Sequence, residues 1–210
     1  GNPGKSLEEL NDQIREKLQL SICKIWEFAS LIRGDRMKKG ALDLESMEVK
    51  ILVDKKGQPE KILQSESDES HHMIEEFMLL ANETVARELR KQKLPGIFRV
   101  HPDPDPENLE ELRSFLQVFG ISCGELTGRK EVTKMLNALN KHPLAQVLRI
   151  KFLRSLKQAC YRSTPDGHYG LAKNDYLHFT SPIRRYSDLV VHRIIENLIR
   201  KQKTQKIDFS

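Results

Sequence analysis

The sequence predicts a helix-rich α+β chain with a small, incomplete sheet. Two observations carry that expectation. Apolar residues recur every three or four positions along six long stretches, the period of one helical face. Strict alternation of apolar and polar residues, the mark of a half-buried strand, occurs in one stretch, with two short apolar runs as further strands.

The elements follow in order. Leu7 to about Arg36 reads as a first helix, with Leu10, Ile14, Leu18, Ile22, Ile25 and Phe28 on one stripe. Gly40, after a lysine pair, marks its stop. Met47, Val49, Ile51 and Val53 alternate with polar residues. Asp54 to Gly57 is a turn and Glu60 to Leu63 a return strand, so a β-hairpin is expected. A second helix runs from Ser67 or Asp68 to about Lys91 and is stopped by Pro95-Gly96. Ile97 to Val100 is a short strand. His101-Pro-Asp-Pro-Asp-Pro106 reads as a stiff linker, because each residue before a proline is pushed out of the helical region. Helices are then expected at Glu107 to Phe119, Arg129 to Asn140, Leu144 to about Tyr161, and Ser181 to about Lys201. A hairpin and one short strand make a poor sheet, so strands outside this chain are expected to complete it.

Composition narrows the class. Among 210 residues, 31% are charged and 38% hydrophobic, and no apolar stretch approaches the roughly 18 residues of a membrane helix. No membrane partner and no secretory leader are expected. The net charge of +5 permits a polyanionic partner without demanding one. Cys23, Cys123 and Cys160 lie far apart in the sequence and form no Cys-x-x-Cys site. Cys23 and Cys160 fall in apolar helical patterns and are expected to be buried free thiols, as suits a cytoplasmic location.

The chemistry concentrates between Gly167 and Arg193, in GHYGLAKNDYLHFTSPIRRYSDLVVHR. Thr180-Ser181-Pro182 reads as a helix start, with Ser181 as N-cap and proline at the first helical position. On that reading Arg184 and Arg185 sit one turn inside the helix, near free N–H groups and the positive dipole end. A guanidinium fork there fits phosphate oxygens. Ile183, Tyr186, Leu189, Val190, Ile194 and Leu198 would form the buried face. Tyr176, His178 and Phe179 interleave with these cations, a pattern suited to single-stranded nucleic acid through stacking and phosphate contact. Blander readings stand beside these. Arg184 and Asp188, four apart, could form a surface ion pair worth about 0.2–0.5 kcal/mol, and the aromatics could be core. His192 reads as a packed histidine. His71, His72, Glu75 and Glu76 suggest a metal site, but no HExxH pattern supports one, and an acidic helix start explains them better. No metal ligands are assigned. Gly167 and Gly170 lack phosphate-loop spacing and are expected to serve a tight turn or a close backbone approach.

Four ordered segments resemble a known family. MIEEFMLLANETVA (Met73 to Ala86), RVHPDPDPENLEELRSFL (Arg99 to Leu116), RSLKQACY (Arg154 to Tyr161) and the Gly167 to Arg193 run are similar to the catalytic domain of the ribonuclease R / ribonuclease II exoribonucleases. KKGALDLES (Lys38 to Ser46) resembles the ribonuclease R branch. The resemblance implies a processive hydrolytic exoribonuclease that degrades single-stranded RNA from the 3′ end, releasing nucleoside 5′-monophosphates with Mg²⁺. It implies that Arg184 contacts the phosphates near the scissile bond and is catalytic, and that Glu75 contacts the 3′-terminal nucleotide. Arg185, Tyr176, His178 and Phe179 join them as candidate RNA contacts.

The sequence also departs from that family. Its closely spaced metal-binding aspartates have no counterpart here, because no D-x-D-D cluster occurs in the chain. Residues 1–210 are therefore expected to form the C-terminal part of one RNB-type catalytic domain, without the aspartate part or the cold-shock and S1 domains. The chain alone is expected to be inactive. The alternative is a non-catalytic RNA-binding or scaffold protein that retains the fold.

Overall fold

The structure is a computed structural model that describes residues 12–42, 48–54, 56–65 and 68–200. The chain divides into two compact units. The first comprises residues 1–35 and 44–78, the second residues 36–43 and 79–210. Two helices, α1 (Asp12–Lys38) and α2 (Glu69–Lys91), have residues in both.

The first unit contains most of α1, the hairpin of β1 (Glu48–Val53) and β2 (Pro59–Ser65), and the start of α2. The strands pair antiparallel with Ile51 opposite Ile62, and the register shifts at Leu52/Val53. Asp54 shapes the turn. Its Oδ1 accepts the N–H of Lys56 at 2.8 Å and of Gln58 at 2.9 Å, a local bond that this residue type offers readily. Gly57 has φ +78°, which glycine adopts without strain. Phe28 and Phe77 meet with ring centroids 6.0 Å apart. The α1 stripe of Ile14, Leu18, Ile22, Ile25 and Phe28 remains 41–53% exposed. Cys23 is exposed too, contrary to the buried thiol expected from its apolar flanks. Periodicity defines a face, but burial needs a partner for that face.

The second unit holds the core. Ala86 and Leu89 of α2, Phe98 and Val100 of β3 (Phe98–Val100), Leu177, and Val190, Val191 and Ile194 of the last helix pack together. β3 pairs antiparallel with β4 (Cys160–Arg162), placing Arg99 opposite Tyr161. A satellite of three helices packs through Leu112, Leu116, Met135, Leu139, Leu148 and Phe152. These are α3 (Pro106–Val118), α4 (Arg129–Asn140) and α5 (Ala145–Ser155). Proline opens α3, where the missing N–H costs nothing.

Two expectations change here. The helix read as Leu144 to about Tyr161 ends at Ser155, and Cys160–Arg162 is a strand. The apolar spacing continues past Ser155, but β3 offers a backbone ladder that a helix could not use. His101, read as the start of a stiff linker, is instead built into the core of the second unit. It is only 9% exposed, and its carbonyl accepts Tyr169 N at 2.8 Å while its Nδ1 accepts Gly170 N at 3.1 Å. Gly170 allows that approach, since a Cβ there would stand 3.1 Å from His101 Nδ1. Gly167, with φ +87°, makes the preceding turn. Both glycines therefore serve the backbone.

Candidate functional site

The segment from Tyr176 to Arg185 is held from two sides by buried polar residues. Asn82 of α2 is 3% exposed. Its Oδ1 accepts the N–H of Phe179 at 2.9 Å and of Thr180 at 3.2 Å, and its Nδ2 donates to the Tyr176 hydroxyl at 3.1 Å. Asp188 lies in α6 (Tyr186–Ile199) and is fully buried. Its Oδ1 accepts Ser181 N at 2.8 Å, and Ser187 Oγ and Arg185 Nε each lie 3.1 Å from its Oδ2. Three successive main-chain amides, from Phe179 to Ser181, are thus fixed by side chains. A buried N–H needs such a partner.

These bonds move the helix start. α6 begins at Tyr186, not at Ser181. Ser181 is not the cap of α6, because the helix opens only at Tyr186 with Arg185 as its N-cap. The Ser181 carbonyl accepts the N–H of Arg184 at 3.3 Å and of Arg185 at 3.1 Å, closing one separate turn. Arg185 follows in extended conformation (φ −126°, ψ 117°) as the N-cap of α6. Arg184 and Arg185 therefore stand in front of the helix rather than inside it. The first-turn N–H groups of α6 still lack intrahelical acceptors, so its positive end lies beside them.

The two arginines differ. Arg185 is ion-paired with Asp188. Arg184 is exposed and has no carboxylate partner among the described residues. Ile183 and Tyr186, expected on the buried face, are 103% and 73% exposed. The turn that displaces the helix start carries them outward.

The aromatics divide as well. Tyr176 is 6% exposed and its hydroxyl is engaged by Asn82, so its ring is core. Phe179 stacks on His192, centroids 4.1 Å apart at 12°, and His192 Nε2 donates to its carbonyl at 2.8 Å. His192 is thus a packed histidine. His178 is partly buried, edge-on to Tyr176 at 5.9 Å and to Tyr161 at 5.7 Å. The Tyr161 hydroxyl hydrogen-bonds His178 Nδ1 at 2.9 Å, and Ser187 Oγ lies 3.3 Å from the same oxygen. The Arg99 guanidinium lies 4.8 Å from the Tyr161 ring centroid. Burial pushes the His178 imidazole down to about 4, and the positive charges of Arg185, Arg99 and Arg184 push the same way. Glu75 stands in the first unit, with its Oε2 3.8 Å from His72 Nδ1.

Sequence reasoning missed Asn82, Tyr161 and Arg99, and read Asp188 only as a surface partner of Arg184. Asn82 had a signal, a polar residue inside the apolar pattern of α2. Arg99 and Tyr161 had none, because only the strand pairing makes them neighbours.

The site presents three guanidiniums, N–H donors and exposed Tyr186 around a neutral imidazole. Guanidinium forks and backbone N–H donors are groups that fit phosphate oxygens. Among the described residues, no three His, Cys, Asp or Glu side chains gather as a metal site.

The RNB domain family matches residues 4–201. The chain belongs to that family. Ribonuclease R of Thermotoga maritima is 42% identical over 173 residues, 81% of this chain and 24% of that protein. The structure of Mycoplasma genitalium RNase R in complex with ribose methylated single-stranded RNA superposes with a TM-score of 0.85 at 33% identity, over 91% of this chain and 30% of that one. Yeast Ssd1, a pseudonuclease, gives a TM-score of 0.59 at 26% identity, over 68% of this chain and 18% of that one. The RNB chain spans about a quarter of the length of the curated relatives it matches. No described helix is long and apolar enough to cross a membrane.

Proposed function

We propose that this RNB chain is the phosphate-gripping part of a cytoplasmic exoribonuclease that degrades single-stranded RNA processively from its 3′ end to nucleoside 5′-monophosphates. The observation that carries this reading is Arg184, an exposed guanidinium without a carboxylate partner among the described residues, on a turn braced by two buried polar residues. Displacement at phosphorus builds negative charge on the non-bridging oxygens. A guanidinium held in place before the reaction stabilises that charge without reorganising. Arg185 and Arg99 supply further positive field, and the positive dipole end of α6 adds to it. Mg²⁺, when bound, would neutralise charge on the reacting phosphate, and carboxylates other than those around Arg184 would hold it. The isolated chain then binds RNA without cleaving it. Glu75 is kept as a contact to the terminal nucleotide on the strength of the family resemblance.

The test uses a 3′-tailed, 5′-labelled single-stranded RNA with Mg²⁺, following binding and cleavage on one gel for the chain and its Arg184→Ala variant. Binding without cleavage, weakened by the substitution, is the expected result. Cleavage by the chain that disappears in Arg184→Ala would mean that it carries metal ligands of its own. The likeness to a pseudonuclease supports a second reading, a non-catalytic RNA binder. The RNase R relatives are more similar in sequence and structure, which favours the enzyme. Cleavage by a longer protein that includes this chain decides between the two.

A further inference from the structure

The end of α1 and the start of α4 enclose a groove of about 640 Å³ that takes no part in the Arg184 site. Five cations line it, Lys38, Lys39, Arg129, Lys130 and Lys134, against one carboxylate, Glu131. The fold builds this groove deliberately at Gly40. Gly40 has φ +85°, and Ala41 N donates to Arg36 O at 3.2 Å, ending α1 with the left-handed residue typical of such caps. A Cβ on Gly40 would stand 2.9 Å from Arg129 Cβ, so only glycine lets the chain pass this close to α4. Arg129 is committed to structure. Its Nη1 donates to the carbonyls of Tyr169 at 2.6 Å and Gly40 at 3.4 Å, and its guanidinium lies 4.5 Å from the Tyr169 ring centroid. Lys38, Lys130 and Lys134 are exposed and have no carboxylate partner among the described residues. Lys130 and Lys134 are four apart on α4 and share a face.

Concentrating like charges in a concave surface costs stability through repulsion, and it focuses the field on a polyanion. We infer that this groove is a second phosphate-binding surface, which holds the backbone of the RNA strand independently of sequence and apart from the Arg184 turn. The inference rests on the RNA-binding reading. Its ligand is the phosphodiester chain, because the lining offers flexible ammonium groups, which suit a backbone that is tracked rather than a single oriented group.

The experiment measures binding of a labelled twenty-nucleotide single-stranded RNA by fluorescence anisotropy across a salt series. Four proteins are compared: wild type, Lys130→Gln/Lys134→Gln, Lys91→Gln/Lys141→Gln, and Arg184→Ala. Glutamine keeps the helix propensity of lysine closely enough for exposed positions to remain folded, and circular dichroism checks this. Two lost phosphate contacts lower the slope of log K against log salt by about 1.4. The groove variant is expected to show that fall and a several-fold weaker complex, while the control pair leaves the slope near wild type. An unchanged slope in the groove variant, with Arg184→Ala still weakened, overturns the groove and leaves the RNA reading standing. An equal fall in the control pair also overturns it, since overall charge would then be the cause. No binding by wild type, or none weakened by Arg184→Ala, overturns the RNA reading itself.

Discussion

The main-chain N–H of Ser181 donates to Oδ1 of Asp188 at 2.8 Å, seven residues further along the chain. This bond folds the Ser181–Arg185 turn against the first turn of α6. Asp188 is fully buried and also neighbours Arg185, so both of its oxygens are in use. Asp188→Ala leaves the half-buried Ser181 amide and the Arg185 guanidinium without their partner. Removing one member of a buried pair costs about 3 kcal/mol. Urea unfolding is expected to show a loss of that order, and RNA affinity should fall with it because the turn loosens.

Arg184 should behave oppositely. It is exposed and makes no ion pair among the described residues, so Arg184→Ala should leave the unfolding midpoint near wild type. RNA affinity should drop. Each lost charge-assisted hydrogen bond is worth about 1.5–3 kcal/mol, roughly tenfold to a hundredfold in binding. Arg184→Lys should recover part of it, since the charge returns without the planar fork. A large loss of stability in Arg184→Ala would contradict the geometry.

Asn82 serves three groups at once, so its truncation should be costly. Asn82→Ala strands the amides of Phe179 and Thr180 and the Tyr176 hydroxyl. One unsatisfied buried group costs about 1–3 kcal/mol, and three should exceed the lower end of that range clearly. Asn82→Asp keeps the oxygen that accepts both amides and should be milder than alanine at neutral pH. Thermal unfolding of the two variants checks the order.

The imidazoles of His168 and His178 make stability depend on pH. Burial pushes His168 down to about 3, helped by the charges of His101 and Arg99, and burial pushes His178 down to about 4. Both folded values lie below the ordinary 6.5. Between 6.5 and these values the unfolded chain binds protons that the folded chain does not. The stability they allow is full above that window and is lost as pH falls through it. The urea midpoint should therefore be lower at pH 5 than at pH 7, with a shallower fall in His168→Gln. Arg99→Ala should raise the His178 pKa toward its ordinary value, measurable by NMR titration of the ring protons.

Much of the fold was legible in the sequence because it is written in local chemistry. α4 runs from Arg129 to Asn140 as its apolar spacing requires, and the β1–β2 hairpin turns at Asp54–Gly57, where the side-chain and glycine chemistry sits. Gly167 and Gly170 were readable as backbone devices. The Ser-Pro-Ile-Arg-Arg pattern and the family resemblance singled out Arg184 as a candidate, and the structure adds that it is exposed. Cys160–Arg162 was not, because its strand depends on β3, some sixty residues earlier. Nor was the buried state of Tyr176, since an interleaved aromatic looks the same whether it stacks on a base or on the core.

By itself, then, the sequence determined the helical periodicity, the turns and the presence of two arginines beside a helix start. Those depend on neighbours within a few residues, where propensity and spacing act. The tertiary structure alone decided that α6 starts at Tyr186, that Asp188 takes Arg185 and leaves Arg184 open, and that Arg99 and Tyr161 join the site. Each of these outcomes is a competition for a buried hydrogen bond or a strand partner. The winner of such a competition is set by what the rest of the chain brings alongside.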